Sequence, residues 1–177
     1  LKGEKAGTRL DTVTFALAAE MLVQAGAASD RKSAETEARK ALESGAAAEV
    51  FARMVRALGG PADFMDKPDA YLVAAPVIRP VLAPQAGYLA ACETRDVGIA
   101  VLELGGGRKR PQDGIDHRVG FTDLKPLGTR LEKGEPLAVI HAADEASADA
   151  GTARLLAAYR FGEAAPEIGP AILTHIA

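Results

Sequence analysis

The sequence predicts an α+β fold in which a helical segment precedes a β-rich one. Three observations carry this. Apolar residues recur at helical spacing in three stretches before Gly60. Beyond Pro76 the pattern changes to short apolar runs broken by glycine and proline, which is β-like. Residues 145–161 then return to helical spacing, which places a late helix inside the β-rich part.

The first helix is expected from Leu10, where Leu10, Val13, Leu17, Met21 and Ala25 form an apolar stripe, to a stop at Gly26. Before it, Leu1–Gly3 reads as the last turn of a helix closed by Gly3, with a polar loop to Thr8. Ser29 or Asp30 is positioned to cap a second helix, since either side chain can accept from an otherwise orphan amide. Its inward residues are Ala34, Ala38, Ala41 and Leu42, and Gly45 ends it. A third helix over 46–58 carries Val50, Phe51, Met54, Val55 and Leu58 as its buried stripe. Gly59-Gly60-Pro61 stops it, because proline cannot continue the hydrogen-bond ladder. Residues 61–76, with three prolines, read as a linker pinned by Phe64 and Tyr71.

In the β-rich part, Val77-Ile78 and Val81-Leu82 flank Pro80, which suits an edge strand. Gly87–Cys92 is a second strand. Val97–Ala142 is the informative stretch: an apolar run read as a strand, a glycine-and-basic loop, and strands at Asp116–Phe121 and Pro136–His141. Thr94-Arg95-Asp96 can also open a short helix, so helix and strand remain open over Ile99–Leu104. Ala171–Ile176 reads as a final strand.

Composition bounds the function. With 177 residues the chain can bury one core or two small ones. Hydrophobic residues at 48% and charged residues at 25% exclude a disordered or collagenous chain. A net charge of −3, and 5% aromatics without tryptophan, give no electrostatic or stacking reason to expect nucleic acid or an anionic membrane as partner. The single cysteine, Cys92, cannot form an internal disulfide, which makes a reducing, cytoplasmic setting the expectation. No apolar run approaches the ~18–20 residues of a membrane span. The opening Leu1-Lys2-Gly3 has neither a starting methionine nor a signal-peptide pattern, and reads as cut from something longer.

Candidate chemistry is concentrated in one loop. Gly105-Gly106-Gly107-Arg108-Lys109-Arg110 has the ingredients of an anion site, converging amides followed by cations, or is simply a solvated connection. It lacks the GxxxxGK[ST] spacing of a P-loop. Asp113 and Asp116 can serve acid–base chemistry if burial separates their pKa values, or can shape turns and pair with Arg108 or Arg118. His117, His141 and His175 have no metal-ligand spacing with one another or with Cys92. His141 ends an apolar run and reads as a satisfied strand-end histidine. Ser29, Ser33, Ser44 and Ser147 lack a nucleophile-elbow context.

The segment Leu127–Ile140 resembles the turn-and-strand pattern of biotinyl and lipoyl carrier modules. Gly128 and Gly134 would supply the turns, while Leu127, Leu131, Leu137 and Val139 fill a small flattened barrel. A carrier holds its cofactor on a lysine at a hairpin tip. Aligned on Lys133-Gly134, that position is Asp144, and no lysine follows Lys133. A stand-alone barrel-sandwich binding or structural module remains the alternative reading.

A longer set of motifs points to one family. Thr94-Arg95-x-x-Gly98, Leu104-Gly105-Gly106-Gly107-Arg108, Asp113-x-Ile115-Asp116-x-x-Val119-Gly120-Phe121 and Pro136-Leu137-Ala138-Val139-Ile140-His141 closely resemble the thymidine phosphorylase / pyrimidine-nucleoside phosphorylase family. Leu17-x-x-Glu20-Met21-Leu22, Gly45-x-Ala47-Ala48-Glu49-Val50-Phe51-x-Arg53-Met54-Val55 and Gly60-Pro61-x-Asp63-Phe64 extend the likeness over nearly the whole chain. Val119-Gly120-Phe121-Thr122-Asp123 favours the bacterial branch specific for thymidine.

The resemblance implies reversible phosphorolysis of a pyrimidine deoxynucleoside, with thymidine and phosphate as substrates, no cofactor, and a homodimer. It implies that residues 1–70 are the helical tail of an α/β catalytic domain. Residues 71–177 would then be a barrel-sandwich, hammerhead-like C-terminal domain. The family's phosphate motif, Lys-His-Ser-Thr-Gly-Gly-Val-Gly-Asp, and its base-recognising segment are absent, and in the family both lie upstream of the region matched by Leu1. No catalytic, substrate-binding or metal residue is therefore expected within this chain. Only the loop at Gly105, Gly106, Gly107 and Arg108 is expected at the edge of a cleft, and the chain alone is expected to be inactive.

Overall fold

The computed structural model describes residues 1–176, and their helices and antiparallel strands make an α+β protein. The chain divides into two compact units. One comprises Leu1–Tyr71 and the stretch from Gly169 onward, and the other is Leu72–Ile168.

The first unit holds α1 (Arg9–Gln24), α2 (Arg31–Glu43) and α3 (Ala46–Ala57). Thr8 caps α1 by accepting from the Asp11 amide. Asp30 caps α2 in a reciprocal box with Ser33, which resolves the choice between Ser29 and Asp30. Leu1–Gly3 forms no helical turn, and tight turns lead from Gly3 to α1. The α1–α2 contact is built on small residues: Ala19 and Ala34 are buried, with Phe15 beside them. The Arg39 guanidinium lies 4.0 Å from the centroid of the Phe15 ring and pairs with Glu35 and Asp11. In the linker, Phe64 stands between Phe51 and Tyr71 at centroid distances of 6.5 and 6.4 Å, and Tyr71 Oη donates to Asp63. From the far end of the chain, Arg9 donates to the carbonyls of Gly169 and Pro170. Residues 171–176 form no strand, contrary to the sequence expectation.

The expected apolar stripes also need correction. In α1, Leu10, Leu17 and Met21 are exposed at 62%, 60% and 71%, while the buried face is that of Phe15 and Ala19. No residue of α3 is buried, and Val50, Met54 and Leu58 face solvent. Periodicity marks which face is apolar, but three short helices have too little surface to cover every such face.

The second unit carries β1 (Val77–Leu82), β2 (Gly87–Cys92), α4 (Thr94–Val101), β3 (Gly120–Thr122), β4 (Arg130–Leu131), β5 (Pro136–Ala142), α5 (Glu145–Ala158) and β6 (Tyr159–Gly162). The strands form two three-stranded antiparallel sheets, β1-β5-β3 and β4-β2-β6, rather than one closed barrel. Pro80 sits in β1 at a sheet edge, where its missing N–H breaks no ladder, and a register irregularity follows between Val81 and Leu82. Both sheets and α5 contribute to one core, in which Leu89, Leu137, Ile140, Leu155 and Val81 are fully buried. Leu127 is exposed and Val139 only half-buried, so the core is not the Leu127-Leu131-Leu137-Val139 set expected.

Three further boundaries differ. The apolar run from Val97 is helix, not strand: α4 continues into a wide π-type turn over Leu102–Gly106. Of Asp116–Phe121 only the end pairs as β3. The late helix stops at Ala158, because Tyr159–Gly162 pairs with β2 as β6. Cys92 in β2 is paired with Tyr159 in that ladder. Burial pushes the Cys92 thiol up from its ordinary value and raises the Tyr159 phenol.

Candidate functional site

The glycine-and-basic loop begins where α4 ends. Leu104 is buried in the core, so the end of the π-type turn is anchored while the residues after it leave the sheet. Gly105 follows at φ 99°, a left-handed angle that turns the chain out of the helix. A Cβ on Gly106 would stand 2.8 Å from Val101 Cγ1 and 3.1 Å from the Val101 carbonyl oxygen, so a side chain there collides with the preceding turn. The anchor is reinforced from α5: a Cβ on Gly151 would lie 2.8 Å from Ile140 Cδ1 and 2.9 Å from Leu104 Cδ2. Only the bare backbone of α5 lets Leu104 seat there.

Beyond the glycines, the loop is held by its own charges. Arg108 Nε donates to the Asp113 carbonyl at 3.1 Å. The Asp113 carboxylate accepts from the Arg110 backbone N–H at 2.9 Å and from its Nε at 3.1 Å. The Asp116 backbone N–H donates to the Gly105 carbonyl at 2.9 Å, closing the loop onto its start. The Asp116 carboxylate takes Arg118 in a fork, with Nε and Nη2 each donating at 2.8 Å and the backbone N–H at 3.0 Å. These donors lower the Asp116 carboxyl to about 2, the Arg118 side chain contributing most.

This arrangement decides between the two readings of the acids. Both Asp113 and Asp116 serve loop geometry through ion pairs, and Asp116 is held firmly ionised, the opposite of what a general acid requires. Four cations (Arg108, Lys109, Arg110, Arg118) against two carboxylates leave the loop net positive. Lys109, exposed and without an ion pair among the described residues, and the free end of the Arg108 guanidinium are what the loop offers an anion.

The remaining candidates resolve into structure. His141, in β5, shares a hydrogen bond with Thr122 of β3 at 2.9 Å between Nε2 and Oγ1, as befits a satisfied strand histidine. His175 lies 3.2 Å from Glu20, which also takes Arg31. Among the described residues no group of three or more His, Cys, Asp or Glu side chains converges as a metal site. Ser33 and Ser147 are cap partners. Asp144 stands at the start of α5, not at a hairpin tip, and caps it in a reciprocal box with Ser147. That cap explains the acid where a carrier has lysine, and removes the geometry for a swinging arm as well as the residue. No described helix is long and apolar enough to cross a membrane.

Comparison with known proteins bears on the same region. Residues 88–162 match the pyrimidine nucleoside phosphorylase C-terminal domain, a span that includes both sheets in part, α4, the loop and α5. Over 176 residues the chain is 56% identical to the thymidine phosphorylase of Rhizobium meliloti (strain 1021), a match covering 99% of this chain and 40% of that protein. The thymidine phosphorylases of Sinorhizobium medicae (strain WSM419) and Agrobacterium fabrum (strain C58 / ATCC 33970) are 54% and 51% identical, with the same shares of each chain covered. The chain thus spans about two fifths of the length of the curated relatives it matches. Its residues 88–162 thus resemble the C-terminal domain of the pyrimidine nucleoside phosphorylases, consistent with a C-terminal portion of such a protein.

Proposed function

We propose that this chain is the C-terminal part of a thymidine phosphorylase. The observation that carries the reading is the 56% identity to a protein of that name over 99% of this chain. The reaction is attack of a phosphate oxygen on the anomeric carbon of thymidine. The new C–O bond forms as the C–N bond to the base breaks, and the base leaves with the bonding electrons and takes up a proton. The products are thymine and 2-deoxyribose 1-phosphate. The enzyme works as a cytoplasmic homodimer, residues 1–70 completing the α/β catalytic domain and 71–177 forming a barrel-sandwich C-terminal domain.

In this reading the present residues do not perform the chemistry. The loop Gly105–Asp113 borders the cleft as a partial lid. Its net positive charge, with Lys109 and the outer guanidinium nitrogens of Arg108 free, favours closure over a phosphate. The test has two arms. The isolated chain is expected to release no thymine from thymidine and phosphate, and measurable release overturns the assignment of the chemistry to other residues. In a chimera where this chain replaces the matched segment of the Rhizobium meliloti enzyme, Arg108→Ala is expected to lower kcat/KM roughly tenfold, the scale of one lost charge-assisted contact. Unchanged kcat/KM removes the lid role.

A further inference from the structure

We propose that Arg154 is a positioning residue: from α5 it governs two arrangements of the π-type turn at the base of the glycine-and-basic loop, and so sets where the loop's cations point. The inference rests on the reading of that loop as a partial lid. Arg154 lies three residues after Gly151 on α5, so its side chain leaves the helix beside the face that seats Leu104. Its Nη2 stands 3.4 Å from Asp96 Oδ1 in the first turn of α4. Its Nε faces Glu103 Oε2 in the π-type turn at 3.9 Å. One arginine therefore reaches both the start of α4 and the turn that ends it. Only the first of these contacts is a hydrogen bond. At 3.9 Å the second is about 1 Å too long, and Arg154 Nε is buried without a hydrogen-bond partner among the described residues.

A buried N–H without an acceptor costs free energy, and here the acceptor that would satisfy it is already alongside. What holds Glu103 off is the turn it sits in. A π-type turn carries one residue more per hydrogen bond than an α-turn and is uncommon, so tightening by that residue is an available second state. No side-chain cap pins this turn, and it ends at Gly105, whose φ of 99° is a glycine conformation. In the second arrangement Glu103 accepts from Arg154 Nε, and that new bond offsets the rearrangement of the turn. Gly105 to Gly107 absorb the backbone change, and Arg108 and Lys109, which follow directly, are carried with it. Two packings separated by one hydrogen bond are the kind of bistable element through which a side chain outside a site steers a loop at it.

Arg79 supplies the control. It is the other arginine with a buried, unpartnered Nε among the described residues, but it stands on β1 and pairs with Asp149 and with Glu145. In the whole 177-residue chain, NMR relaxation dispersion of the Gly105, Gly106 and Gly107 amides reads exchange between the two arrangements on the microsecond-to-millisecond scale. The wild type is expected to show it. Arg154→Lys, which keeps the charge opposite Asp96 but lacks Nε, is expected to abolish it, and Arg79→Lys to leave it unchanged. A flat profile in the wild type, or exchange that survives Arg154→Lys, overturns the proposal. In the chimera described above, Arg154→Lys is expected to raise the KM for phosphate about fivefold while kcat changes less than twofold, a split that simple loss of folded enzyme would not produce. An unchanged KM overturns the positioning role. A wild-type chimera that releases no thymine fails the functional reading instead, and the dispersion profiles then decide the two arrangements by themselves.

Discussion

Replacing Gly151 by alanine tests whether the loop's anchor depends on the close approach of α5 to the core. The added Cβ would sit 2.8 Å from Ile140 Cδ1 and 2.9 Å from Leu104 Cδ2, both well inside contact distance. Ile140 is fully buried and Leu104 nearly so, so neither can move aside without disturbing the packing. Overpacking of this kind costs about 1–3 kcal/mol, against about 1 kcal/mol gained by alanine over glycine in a helix interior. The net expectation is a loss of about 1 kcal/mol for alanine and about 3 kcal/mol for valine, whose branches have nowhere to go. Gly98 in α4 is the control: it is exposed, and nothing lies within 4 Å of its would-be Cβ. Gly98→Ala is expected to stabilise by about 0.5–1 kcal/mol. The two alanine variants should therefore move the urea midpoint of the second unit in opposite directions. If Gly151→Ala stabilises as much as Gly98→Ala, the steric account of the anchor is wrong. Because Leu104 precedes the glycines directly, Gly151→Val should also speed amide exchange at Asp116, whose N–H is bonded to Gly105.

Further expectations follow from the same contacts. The Asp116 carboxyl, lowered to about 2 from an ordinary 3.8, stabilises the loop above the unfolded value and loses that contribution as pH falls through about 4 to 2. Its carboxyl carbon shift should titrate near pH 2, and a midpoint near 3.8 would break the link to Arg118. Asp144→Ala removes the side-chain cap of α5 and should lower the Tm by roughly 2–4 °C, whereas Asp144→Lys should lower it similarly and acquire no lipoyl or biotinyl group from a ligase, as intact mass would show. Leu155→Ala, at a fully buried position of α5, should cost about 2–5 kcal/mol in denaturant unfolding; a loss below 1 kcal/mol would mean the core is looser than described.

Local signals in the sequence were reliable where the cause is local. The cap at Ser29 or Asp30, which the structure gives to Asp30, the glycine stops after α2 and α3, and Pro80 at a sheet edge all act through the backbone within a few residues, and the structure has them as the chemistry requires. Burial was not legible in the same way. Leu10, Leu17 and Met21 form a correct apolar stripe that the unit leaves open, because which stripe is covered depends on the surfaces available. The run Val97–Leu104 was undecidable by period, since six of its eight residues are aliphatic, and its helical state follows from packing against α5. Tyr159–Gly162 was lost to the preceding helix for the converse reason: its strand exists only through pairing with β2. At the loop, the acids and cations were visible in sequence. Their assignment was not, because Arg110 to Asp113 and Arg118 to Asp116 is a choice made by turn geometry.

The contact between Cys92 and Tyr159 makes the protein its own reporter. A lone thiol, held up from its ordinary pKa by burial and laced into the β2–β6 ladder, is slow to react with a disulfide reagent while that ladder is closed. Its labelling rate then counts openings of one strand pair, without any introduced probe and without a second cysteine to confuse the signal. A single absorbance trace thus times the parting of β6 from the sheet, and it can be read in any variant discussed above.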